Sequence, residues 1–239
     1  MTFTLAAILL LIFLGAIAQG AAGVGLGLVA TPFVAALDPA LVPGPMLLLM
    51  VFAATWTAWR DRASIDGQWA AAAIAGRAPG VVLGAWIFAT VSFKAYAWIF
   101  AGCVIVGVLL SLAGGRTAPT LPRLAAGGFG SGFMGTLTSI GGPPIMLAIQ
   151  HGEARRVRAT LSLFFAIGSL MSVIALMLFG RFGWNEVVLG VALVPAMVLG
   201  LLASSLFTGR IDRGAMRPVL LGLAALAAPL LVIRAILAG

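Results

Sequence analysis

The sequence predicts an all-α integral membrane protein built from two inverted repeats of about five membrane-inserted helical elements each, with Gly/Pro-broken helices in each repeat. Three observations carry that prediction. The 239-residue chain is 62% hydrophobic and only 8% charged, where a soluble domain has about a quarter of its residues charged. Its apolar runs approach the roughly 20 residues that a spanning helix needs and lack the alternation of a membrane β-strand. A pattern of glycine and proline also occurs twice: Gly15, Gly20, Gly23 and Pro32 recur at one constant spacing as Gly127, Gly132, Gly135 and Pro144. Pro79, Leu83 and Gly84 recur as Pro195, Leu199 and Gly200, a few residues further displaced.

Apolar runs between polar breaks give eight elements, at residues 4–36, 41–59, 69–90, 96–113, 123–150, 159–180, 186–206 and 217–238. The stretch 1–18 has the apolar core of a signal peptide but no Lys or Arg ahead of it, so it is read as a retained helix. The first and fifth elements are longer than the roughly 17 to 25 residues of one crossing, and both carry the repeated glycines and prolines. Each either crosses once at a steep tilt or turns back on itself. Single crossings would divide the basic residues almost evenly between the two faces. Turning back gathers Arg60, Arg62, Arg116, Arg123, Arg155, Arg156, Arg158, Arg210, Arg213 and Arg217 on one face and leaves Lys94, Arg181 and Arg234 on the other. The second arrangement obeys the positive-inside rule and is preferred. It makes the short returning arms residues 24–37 and 139–150, and puts the loops near 60–68, 114–123, 151–158 and 207–217 in the cytoplasm with both termini outside. An odd number of elements per half inverts the repeats, here taken as residues 1–114 and 123–239 joined by a cytoplasmic linker at 115–122. Such symmetry lets one interface site face either side in turn.

Several chemistries are excluded. The single cysteine, Cys103, leaves no intrachain disulfide, and one histidine builds no metal cluster. The net charge of +8 is scattered through short loops, which suits anionic headgroups and topology rather than nucleic acid. No paired carboxylate or Ser/His dyad lies in the spans, so no enzyme and no cofactor is expected. The expected partners are the lipid bilayer and a small anion, and a homodimer is compatible with the pattern.

Candidate binding residues cluster at the two breaks. Ser139-Ile-Gly141-Gly142-Pro143-Pro144, with Thr31-Pro32 as its mate, frees backbone amides at membrane depth. A freed helix N-terminus offers N–H donors and partial positive charge to an anion. Gly23 with Gly27, and Gly128 with Gly132, read as small-xxx-small packing faces. Arg77 is the one ionisable residue well inside a span, about 12 Å from the Trp69 end, where a charge costs at least a few kcal/mol unless it meets a cavity, carbonyls or an anion. Gly76, Gly80 and Gly84 give its helix a small face, and Pro79 is expected to disturb that helix. Its repeat mate Leu193 is apolar, so the site is asymmetric. Thr160 opens the next helix with a hydroxyl, and Ser131 and Gln19 add polar groups near the breaks. His151, beside Arg155, Arg156 and Arg158, is read as interfacial.

The twofold Gly-rich segment leading into proline, with Gly141-Gly142-Pro143-Pro144 in the second copy, resembles the sulfite exporter TauE/SafE family of bacterial membrane proteins. The resemblance covers nearly the whole chain in length, span number and duplication. It implies multi-pass insertion in the bacterial cytoplasmic (inner) membrane and secondary transport, usually outward, of small sulfur-containing anions such as sulfite or organosulfonates. The first copy departs from the family pattern, with Leu28-Val29-Ala30-Thr31-Pro32 where Gly-Gly precedes proline, so the two breaks have unequal roles. On this reading Arg77 supplies charge, amides near Gly141 and Gly142 form a cradle, and Thr31, Ser139 and Thr160 give directional hydrogen bonds. Gly23, Gly27, Pro32 and Pro143 complete the expected substrate-binding set. An anion channel-like pore and a non-transporting scaffold are the competing readings of the same residues.

Overall fold

A computed structural model describes residues 2–113, 118–149 and 152–206. Among them the chain is helical throughout: α1 (Thr2–Ala22), a π-helical turn (Leu26–Ala30) running into α2 (Thr31–Leu37), α3 (Gly44–Arg60), α4 (Gly67–Thr90), α5 (Phe93–Ala113), α6 (Leu121–Thr138), α7 (Gly142–Ile149), α8 (Ala154–Leu178) and α9 (Trp184–Ser204). The last expected element, 217–238, lies outside the described residues, as do Gln150 and His151.

Both long apolar elements are broken and turn back. In the first, a methyl group added to Gly15 would stand 3.1 Å from Ala30 Cβ and 3.3 Å from Leu26 Cα. In the second, a methyl group added to Gly127 would stand 3.1 Å from Ala148 Cβ and one added to Gly130 3.1 Å from Pro144 Cβ, so α7 runs antiparallel along α6. The reversal follows from the backbone. Gly23 (φ 75) ends α1 and Ser139 (φ 59) ends α6, each left-handed, a conformation that stops a right-handed helix and that glycine adopts at little cost. The two turns are out of register, because the sequence aligns Gly23 with Gly135 and Ser139 with Gly27. The first hairpin unwinds a turn earlier and makes up the length with its π-helical turn. Gly23 and Gly27 therefore share no helix face, in contrast to the expected small-xxx-small pair.

A lone proline behaves differently from the Pro143-Pro144 pair. α4 and α9 run unbroken through Pro79 and Pro195, because one proline removes a single intrahelical bond and, in α4, a tight partner helix holds the rest. That partner is α6. Methyl groups at Gly76, Gly80, Gly128 and Gly132 would overlap the carbonyls of Ala125, Phe129, Ala73 and Arg77 respectively, so the two backbones touch over three turns, as small residues allow in membranes. On the other side of the bundle α9 lies on α1 in the same way, with Gly200 against Phe13 and Ala16, and Gly20 against Ser204. α3 packs against α8 between these two pairs.

Five described helices are long and apolar enough to cross a membrane: Phe3–Ala22, Gly67–Thr90, Phe93–Ser111, Ala154–Leu178 and Trp184–Ser204. Their outward stripes are apolar, as Ile167, Leu170, Ile174 and Leu178 are on α8, the pattern a lipid-facing helix needs. α6 is less apolar because its glycines and hydroxyls are enclosed by neighbouring helices: Ser131, Thr136 and Thr138 are fully buried. Thr138 donates to the Met134 carbonyl and Thr136 pairs with Ser172 of α8 at 2.8 Å.

Candidate functional site

The two breaks meet. Val24, Gly25, Gly27 and Leu28 from the first hairpin and Gly135, Ser139, Gly141 and Gly142 from the second form opposite walls of one cavity, completed by Leu47 and Met50 of α3, Arg77 of α4, and Phe165 and Ser169 of α8. Its open volume is about 10 Å³, the room one water needs. The closeness of the walls depends on absent side chains. A methyl at Gly27 would overlap the Ser139 carbonyl, and one at Gly142 would press on Val24 at 3.1 Å. Ser139 holds its strained left-handed conformation while its hydroxyl donates to the Pro43 carbonyl across the bundle at 3.0 Å. A non-glycine residue there costs of order 1 kcal/mol or more, which the surroundings must offset.

Arg77 is 1% exposed. Its guanidinium lies 4.8 Å from the Phe164 ring centroid and 5.7 Å from that of Phe165, beside a pair of rings whose centroids are 5.1 Å apart, and these cation–π contacts partly replace lost hydration. Nη1 donates to Ser131 Oγ at 3.1 Å, and Nε, fully buried, has no partner among the described residues. Gly168 of α8 makes the space, since a Cβ there would collide with the guanidinium. The ion pairs among the described residues are all elsewhere, between Arg60 or Arg158 and Asp61 and between Arg156 and Asp66. A buried guanidinium with no carboxylate beside it leaves uncompensated positive charge at the cavity wall, which favours an anion and repels a cation.

The amide cradle is narrower than a full helix N-terminus. Pro143 and Pro144 have no N–H, so only Gly141 and Gly142 present amides at the start of α7. The neighbouring Ile140 amide is already bonded to Thr138 Oγ1 at 3.1 Å.

A family model described as sulfite exporter TauE/SafE matches residues 8–231. The chain belongs to the TauE/SafE family. No curated protein and no solved structure matches it. As a TauE/SafE protein it is a multi-pass membrane transporter of sulfite or similar anions, and its family members are transporters rather than enzymes.

In this TauE/SafE chain the cavity gathers Gly27, Arg77, Ser139, Gly141 and Gly142 from the residues singled out in the sequence. Gly23, Thr31, Pro32, Pro143 and Thr160 lie off its wall. Gly23 packs on the backbone of Arg158, where an added methyl group would stand 2.6 Å from the carbonyl oxygen and 3.1 Å from Cα. The Thr160 hydroxyl accepts the Asp66 amide at 3.0 Å and is spent on joining α8 to the start of α4. Pro143 packs toward Gly107 of α5, and Pro32 is buried at the start of α2. The Thr31 hydroxyl is buried without a partner among the described residues, as is Gln19 Oε1. Sequence reasoning missed Phe164, Phe165, Gly168 and Ser169, the α8 surface that receives Arg77. A small residue next to two aromatics in an apolar helix gives no signal until the helix is placed against its partner.

Proposed function

We propose that this chain exports a small sulfur oxyanion, sulfite or an organosulfonate, across the bacterial cytoplasmic membrane by alternating access, with the anion bound at Arg77 between the two breaks. The observation that carries the proposal is the fully buried guanidinium at the cavity wall, which among the described residues has no partner for Nε and no carboxylate ion pair. Ser169 and the amides of Gly141 and Gly142 supply the remaining donors, and the planar donor fork of arginine suits an oxyanion's edge.

The repeats at 1–114 and 123–239, joined at 115–122, supply the moving parts in this reading. α6 packs on α4 as α1 packs on α9, α8 packs on α4 as α3 packs on α9, and the mates α3 and α8 meet each other. That exchange of partners is what a pseudo-twofold axis through the cavity produces, and it supports rocking of one repeat against the other. The cavity's closure to the room of one water favours a carrier over an open pore, since a four-atom oxyanion enters only when the walls part. The face bearing Arg60, Arg62, Arg155, Arg156 and Arg158 is then cytoplasmic.

Flux in proteoliposomes against sulfite, methanesulfonate, sulfate, formate and chloride, with and without a pH gradient, tests this function. Saturable uptake of the sulfur anions, accelerated by the same anion on the opposite side, is the expected result. Equal, unsaturable flux of chloride and sulfite would replace the carrier with a pore, and no flux of any anion would remove the function.

A further inference from the structure

The face of the bundle that bears the loops after α3 and before α8 carries a second arginine cluster. Arg60, the last residue of α3, and Arg158, in the second turn of α8, converge on the Asp61 carboxylate. Arg158 Nε donates to Asp61 Oδ2 at 2.9 Å and Nη2 to Oδ1 at 3.4 Å, a two-point grip, while Arg60 Nη2 donates to Oδ2 at 3.1 Å. Arg60 also donates to the Gly20 carbonyl of α1 at 2.6 Å. Asp61 is 8% exposed. The backbone and side chain of Arg158 rest on Gly23, the left-handed residue immediately before Val24 and Gly25 of the cavity wall. One residue thus separates this cluster from the cavity, and the cluster pins α1, α3 and α8 together at that point.

Two arginines from different helices holding both oxygens of a buried carboxylate have the donor set of an oxyanion receptor. We propose that Arg60 and Arg158 form a second oxyanion site at the mouth of the Arg77 cavity, and that Asp61 occupies it as a built-in stand-in anion. The site takes either the Asp61 carboxylate, which keeps α1, α3 and α8 together, or a small oxyanion arriving from that face, the station before Arg77. The inference rests on the reading of the cavity as the transport site only for its role as a station. Binding at Arg60 and Arg158 is independent of transport. Arg156 is not part of it, being engaged by Asp66 and the Trp69 ring at 4.5 Å.

The test compares thermal unfolding midpoints of the purified wild-type, Asp61→Ala and Asp61→Ala/Arg158→Gln proteins against increasing sodium sulfate, with sodium chloride at matched ionic strength. Any binding at Arg77 is common to all three and cancels in the differences. With the internal carboxylate removed, sulfate at about ten times its Kd should raise the Asp61→Ala midpoint by roughly 3–5 °C more than the wild type. The double variant should lose that extra rise. Should Asp61→Ala not insert, Asp61→Asn keeps the shape, lacks the charge and leaves the arginines equally uncompensated. An equal sulfate response in wild type and the Asp61 variant, or an extra rise that survives Arg158→Gln, overturns the site. Failure of the transport reading appears elsewhere, as undiminished flux in an Arg77 variant, and leaves this result standing.

Discussion

Replacing Arg77 by methionine separates function from stability. The guanidinium rests against Phe164 and Phe165, has Ser131 as its one side-chain hydrogen-bond partner among the described residues, and leaves Nε unpaired. An anion about 4 Å from that charge at an effective dielectric near 20 gains about 4 kcal/mol, and charge-assisted hydrogen bonds to the fork are of the same order. Losing about 4 kcal/mol corresponds to about a thousandfold in affinity. The fold, in contrast, gives up a buried charge without a carboxylate partner, a change that is neutral or stabilising when an apolar side chain of similar volume fills the space. The Ser131 hydroxyl loses its donor, an opposing cost of about 1 kcal/mol. Arg77→Met should therefore reduce sulfite flux at low concentration by two to three orders of magnitude, with an unfolding midpoint at or above wild type. Arg77→Lys keeps the charge but loses the two-point fork, so it should retain part of the flux. Flux in proteoliposomes at matched protein density, with thermal unfolding of the same preparations, gives both numbers. Near wild-type flux in Arg77→Met refutes the site. A collapse in midpoint together with flux shows instead that the charge holds the fold.

Gly168→Ala places a methyl group against the Arg77 guanidinium and should lower flux at least tenfold while far-ultraviolet circular dichroism stays helical. Wild-type flux would mean that the side chain swings freely and its placement by α8 is immaterial. Gly27→Ala meets the Ser139 carbonyl, so the two breaks must separate, and a midpoint lowered by the equivalent of about 1–3 kcal/mol is expected with loss of transport. An unchanged midpoint contradicts the close approach of the walls. Burial by itself would raise the Asp61 carboxyl, but hydrogen bonds from Arg158 and Arg60 and their charges outweigh it and hold the group below its usual 3.8. A depressed carboxyl contributes stability above its unfolded value and loses it as pH falls through the folded one. The midpoint difference between wild type and Asp61→Asn should thus be constant from pH 7 to about pH 5 and shrink below 3.8, and a difference that grows with acid reverses the sign and the argument. In a chain lacking Cys103, cysteines at Ser64 and Gly152 should both be labelled from the cytoplasmic side alone. Labelling from opposite faces would undo the hairpins and the inverted repeat with them.

Much of the cavity was legible because its residues break local rules. The turning back of both long elements follows from glycine and proline where a spanning helix has neither need nor use for them, and the observed arms, Leu26–Leu37 and Gly142–Ile149, fall inside the expected 24–37 and 139–150. Arg77 stands out as a charge within an apolar span whatever surrounds it. Thr160 and Thr31 were legible only as hydroxyls near a break. Which way a hydroxyl points depends on the rotation of its helix against neighbours remote in sequence, and Thr160 faces the Asp66 amide instead of the cavity.

The sequence alone determined what chain energetics in a membrane require: helices, two broken pairs, and one charge within an apolar span that needs an explanation. These depend on composition and on neighbours within a few residues, so they survive without coordinates. Tertiary structure decided which surfaces meet. Only the packing of α4 into α6 and against α8 shows that Gly168 leaves room for Arg77, that its guanidinium rests against Phe164 and Phe165, and that Ser131 is its hydrogen-bond partner. Only the convergence of α3 and α8 brings Arg60 and Arg158 onto Asp61. Those contacts join residues as far as 97 positions apart, and side chains of ordinary type acquire their roles there from who faces them, a property that no local window of sequence contains.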